Sequence, residues 1–128
     1  MKNYVYVAIV ALISGCATAP LENTDAIMAT AVPPSRAIKT LIVNEARNVM
    51  LDPYSVRDAE ISYVGTFSDG VQGLCVKANA KNAMGGYTGR DTLGLSIKGG
   101  SIISSTKDNP LCFDPKLKWI PFPELEAL

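Results

Sequence analysis

Apolar and polar positions follow two different periods along this chain. Between Ser35 and Met50, Ile38, Leu41, Ile42, Ala46 and Val49 recur at helical spacing, while Arg36, Lys39, Asn44 and Arg47 fall mainly on other sides. That pattern predicts an amphipathic helix of about four turns, capped by Ser35 and stopped by Asp52-Pro53. Beyond Pro53 the period drops to two. Ala59, Ile61 and Tyr63 alternate with Asp58, Glu60 and Ser62, and Leu74, Val76, Ala78 and Ala80 alternate with Cys75, Lys77, Asn79 and Lys81. A third strand is expected through Leu93, Leu95 and Ile97, and a fourth returns through Ile102 and Ile103. Phe67-Ser68-Asp69-Gly70, Lys98-Gly99-Gly100-Ser101 and Lys107-Asp108-Asn109-Pro110 are turn chemistry, the second of them a tight hairpin. The tail Trp119-Ile120-Pro121-Phe122-Pro123 is too rich in proline for a central strand, so it should pack across an edge or stand exposed as a docking peptide. The expectation is an α+β domain over residues 35–128, with one main amphipathic helix packed on an antiparallel sheet of about four strands.

The N-terminus follows neither period. Met1-Lys2-Asn3 gives a short positive start, and Tyr4 to Ile13 is a run of mostly large apolar residues. This is about half the roughly 20 residues that a membrane span needs, and it suits the core of an export signal. Ile13-Ser14-Gly15-Cys16 then resembles the lipobox of bacterial lipoproteins. The resemblance implies a signal peptide over 1–15, removed on maturation, and a lipid on the Cys16 thiol. An ordinary secretory signal with a chance cysteine is the alternative reading. A single acyl chain holds a protein to a bilayer only weakly, so an anchor here implies several. Residues 17–34 hold Ala, Thr, Pro, Asn and Glu without a sustained period, which makes 16–34 a lipidated tether; Ile27 and Met28 are where part of it would turn helical or dock. Ala17, in place of the aspartate linked with inner-membrane retention, implies the outer membrane, with the domain facing the periplasm.

Charge adds little. The chain has 12 Lys and Arg against 12 Asp and Glu, and loss of Lys2 leaves 11 basic side chains. Nothing forms the basic stripe that nucleic acid requires. With Cys16 assigned to the lipid, Cys75 and Cys112 remain as a disulfide pair suited to an oxidising compartment, two buried free thiols being the alternative.

Candidate chemistry is thin. The chain has no histidine, so a Ser-His-Asp arrangement cannot be built, and with no close pair of cysteines a metal site is not expected. No cofactor is expected either. Asp58 and Glu60, two apart on a strand, are better read as a solvated face than as an acid–base pair, with Arg57 and Arg90 as their ion-pair partners. Met84 to Arg90 lacks the Gly-Lys-Ser/Thr ending of a phosphate loop, and its glycines suit a bend. Asn79, Lys81, Asn82, Tyr87 and Arg90 nevertheless make the densest polar and aromatic group of the chain, and form the candidate contact surface.

Asp52-Pro53-Tyr54-Ser55, then Cys75-Val76-Lys77-Ala78-Asn79-Ala80-Lys81-Asn82, then Gly85-Gly86-Tyr87-Thr88-Gly89 resembles a widespread family of small exported bacterial proteins. That family carries the pattern Cys-x-x-Val/Ala-Asn-x-Lys-Asn-x-x-Gly-Gly-Tyr-x-Gly. The likeness spans Asp52 to Gly89, with Ala78 standing where valine is more usual. It implies an exported domain and no catalytic role. The sequence therefore points to a non-enzymatic, lipid-anchored envelope protein with an envelope protein as partner. A module for a small ligand or cell-wall fragment, and an inhibitor of a periplasmic enzyme, are the alternatives.

Overall fold

The computed structural model describes residues 23–128. The signal peptide, the lipobox and Cys16 lie outside the described residues. Three helices, α1 (Thr24–Ala29), α2 (Arg36–Val49) and α3 (Pro123–Glu126), accompany six strands: β1 (Arg57–Ser62), β2 (Gly65–Thr66), β3 (Gln72–Asn79), β4 (Asp91–Lys98), β5 (Ser101–Lys107) and β6 (Trp119–Pro121). The strands form one antiparallel sheet in the order β5-β4-β3-β1-β6, and β2 pairs with β3 beyond the end of β1. The fold is thus α+β, with a sheet of six strands where the sequence pattern suggests about four. The two additional strands, β2 and β6, have two and three residues, too few to show a period.

Local chemistry accounts for the boundaries. Ser35 Oγ accepts from the Ile38 N–H at 3.2 Å to cap α2, satisfying one of the donors that every helix start leaves free. Gly99 and Gly100, at φ 59° and 75°, close the β4–β5 hairpin in a conformation that glycine adopts without strain.

Alternation sends one face of the sheet into the core. Ile61 stands opposite Val76 on β3 and Ile120 on β6, and Leu74 opposite Leu95 on β4. Directly opposed residues of an antiparallel pair share a face, and this face packs with Ile42 and Ala46 of α2 and with Phe122 and Leu125 at the C-terminus. Ile61 and Phe122 are fully buried, at 0% exposure. That removes Phe122 from any exposed docking peptide, while β6 does lie across an edge of the sheet.

The opposite face is only partly covered. Cys75 and Cys112 form a disulfide with a Cα–Cα distance of 5.7 Å, spanning 37 residues. It ties β3 to a 3-10 turn at Pro110–Phe113 that lies over this face. α1 lies nearby, the γ-methyl of its Ile27 resting where a Cβ on Gly65 would stand. From Asn23 onward the segment read as a tether thus includes a docked part: Val32 pairs with Val64 through backbone hydrogen bonds of 3.0 and 2.7 Å, and Lys116 meets Asp25 at 2.9 Å.

Candidate contact surface

The open end of the second sheet face carries the charged and aromatic side chains. Glu60 on β1 stands opposite Lys77 on β3, with Lys77 Nζ 3.3 Å from the carboxylate and Arg90 bonded to the same oxygen. Lys77 also sits 4.0 Å from the ring centroid of Trp119, which β6 places opposite Ser62. Burial pushes the Glu60 carboxyl up, but the hydrogen bonds and charges of Arg90 and Lys77 outweigh this and hold it below its ordinary value. One carboxylate between two cations leaves a local excess of positive charge beside an indole.

A second group adjoins the first. The guanidinium of Arg57 lies 3.6 Å over the Tyr87 ring, and Lys81 Nζ is 5.9 Å from it. Tyr87 is held from behind, since its hydroxyl donates to the Ser55 carbonyl at 2.6 Å. Ser55 Oγ donates to the Asp52 carbonyl at 2.7 Å and accepts from the Lys81 N–H at 2.8 Å. Asn82 closes the bend between them: its Oδ1 accepts from the backbone of Met84 and Gly86, at 3.0 and 3.1 Å. Gly85, at φ 77°, supplies the left-handed residue this bend requires. The turn at Asp52–Ser55 and the Gly-Gly-Tyr bend are thus two halves of one bonded unit.

Three of the five residues expected at the contact surface, Lys81, Tyr87 and Arg90, do come together on it. Asn82 is exposed, but its side-chain oxygen is committed to the bend. Asn79 is buried, at 8% exposure: it shares the face of Cys75 and Lys77 and ends β3 opposite Arg57. Its Oδ1 has no hydrogen-bond donor among the described residues. Arg57, Lys77 and Trp119 were not among the expected residues. Arg57 and Lys77 carried a signal as strand neighbours of Glu60, whereas Trp119 joins only through the β1–β6 pairing. Asp58 and Glu60 do not form a paired face: Asp58 adopts φ 54° at a bulge that breaks the alternation.

A concave site lies elsewhere, on the same sheet face near the disulfide. This cleft of about 110 Å³ runs between α1, β3, β4 and the Pro110–Phe113 turn, with Ile27, Met28, Phe67, Cys75, Leu111 and Leu117 among its walls and no charged residue. None of the expected contact residues lines it.

No family model, curated protein or solved structure matches this chain. Among the described residues no helix is long and apolar enough to cross a membrane, and no three potential ligands gather into a metal-binding group. What the surface offers is therefore read from its own chemistry. It gathers four cations and two aromatic rings, against Glu60 and an Asp58 that lies 4.0 Å from Arg57.

Proposed function

We propose that this protein is a lipid-anchored, non-enzymatic module of the bacterial cell envelope. In this reading the surface formed by Arg57, Lys77, Lys81, Arg90, Tyr87 and Trp119 contacts another envelope component. The observation that carries the proposal is the pairing of cations with aromatic rings on one uncovered sheet face, at Arg57–Tyr87 and Lys77–Trp119. Desolvated cation–aromatic pairs contribute on the order of 2 kcal/mol, and aromatic and arginine side chains dominate interface energetics. The anchor on Cys16 is supported by the lipobox resemblance of Ile13 to Cys16, and export by the Cys75–Cys112 bridge, which belongs to oxidising compartments. Facing the periplasm from the outer membrane remains part of the proposal, as does the family of small exported proteins. So does α2 as the one main helix, its role being to brace the sheet from behind.

The test is site-specific photocrosslinking in the native envelope from Lys81 and from Ala37 on the far side, together with fatty-acid labelling. Crosslinks at Lys81 to an envelope component, lost when Arg57→Glu is added and absent at Ala37, are the expected result. Crosslinks at Ala37 alone would sink the contact surface. Labelling that survives Cys16→Ser would remove the anchor.

A further inference from the structure

We infer that β5 is a self-pairing edge, joining two copies of the chain as antiparallel strands about a two-fold axis near Ile103 and Ser104. The two edges of the sheet are built differently. β6 has three residues, ends in Pro121, which has no N–H to donate, and runs directly into α3. β5 has seven residues, Ser101-Ile102-Ile103-Ser104-Ser105-Thr106-Lys107, with no proline, and all are exposed except the half-buried Ile102. Natural edges are normally blunted by short length, proline, inward charges or a covering segment. Two devices of this kind are present, an edge lysine at Lys107 and a bulge between β4 and β5 at Ile103. The bulge bends the strand, leaves Ser104 to Lys107 in regular register, and sets the Ile103 side chain outward at 55% exposure.

The sequence of this edge favours a second copy over a foreign strand. An axis at Ser104 sets Ile102 opposite Thr106, Ile103 opposite Ser105, and Ser101 opposite Lys107. The only charge of the strand then meets a serine and stays at the far end from its symmetry mate. Lys107 is moreover paired with Asp91 of its own chain at 3.0 Å. β-branched and hydroxyl pairs across such a ladder are favourable, and like charges directly opposed are not. Seven residues extend about 23 Å, a small contact of the weak class. It is populated where copies are concentrated, and an anchor in the plane of a membrane does that. Only this last clause rests on the function proposed above. β1 lies three strand spacings from β5, so pairing would leave both contact surfaces free, the two β1 strands about 34 Å apart across seven strand spacings.

Two measurements on the full chain test this. A cysteine at Ser104, beside the axis, should link a copy to its twin, and one at Glu45, exposed on α2, should not. On non-reducing gels of native membranes the Ser104→Cys variant is expected to run as a homodimer and Glu45→Cys as a monomer. Sedimentation of the purified full chain should show a concentration-dependent dimer. Ser104→Lys, which sets two like charges directly opposite each other at the axis, should weaken it by ~10-fold or more while the far-ultraviolet spectrum and the native disulfide are unchanged. A chain monomeric at every concentration, equal linking at Glu45, or linking of Ser104→Cys to a different protein would each overturn the proposal. Sedimentation reads pairing without the membrane and fatty-acid labelling reads the anchor, so the two proposals fail separately.

Discussion

Ser55 makes three bonds: to the Asp52 carbonyl, to the Lys81 N–H and, through its own carbonyl, to Tyr87. It is buried, so Ser55→Ala leaves the Lys81 N–H without this acceptor, and a loss of about 1–3 kcal/mol is expected in denaturant unfolding. Tyr87→Phe removes one bond and leaves a carbonyl, and should lose about 1 kcal/mol. Glu60 behaves differently because it titrates. Its folded pKa lies below the ordinary value, so its contribution is complete above the unfolded pKa and disappears as pH falls through the folded one. Glu60→Gln should therefore be less stable than the parent near neutrality by about 1 kcal/mol, the pair being part-exposed, with the gap closing as pH falls through and below the ordinary carboxylate range. Denaturation midpoints across that range check it. In the sequence, Tyr87 and Arg90 could be read as a chemically dense pair, but not what holds them. The partners of each lie about thirty residues away, and only the sheet register brings Ser55, Asp58 and Glu60 beside them.

Helix α2, the hairpin glycines and the strands through Ile61, Val76 and Leu95 were legible because their period extends over six or more residues. β2 and β6 were not, and α1 only as a turn or docking point at Ile27 and Met28, since short elements take their conformation from a longer neighbour: β2 from β3, β6 from β1, α1 from the packing of Ile27 on Gly65. Gly94, inside β4, shows a limit of another kind. A glycine in a strand interior marks close approach of another group, and here a Cβ would come within 2.7 Å of the Cβ of Asn109, which caps the turn holding Cys112. Gly94→Ala should displace that turn and lose about 1–3 kcal/mol, with increased reducibility of the disulfide as the accompanying readout.

At the scale of the molecule the disulfide encloses β4 and β5 entirely, and in the chain-entropy model a 37-residue loop contributes about 4 kcal/mol. A Cys75→Ser/Cys112→Ser chain should lose most of that in thermal or denaturant unfolding. For a domain of this size, such a loss is a large share of the total. The α+β class was legible because helical and alternating patterns occupy separate stretches of chain; the inward turn of Phe122 was not, because prolines on both sides of it suggested packing across an edge or an exposed tail. That residue has a temporal consequence. Phe122 and Leu125 fill the space between α2 and the sheet, the Phe122 N–H bonds to the Ala59 carbonyl at 2.9 Å, and Glu126 accepts the Ala59 N–H at 2.8 Å. Residues late in the sequence thus close a core begun some eighty residues earlier. Until they have been made the interior lacks two of its buried side chains and cannot close.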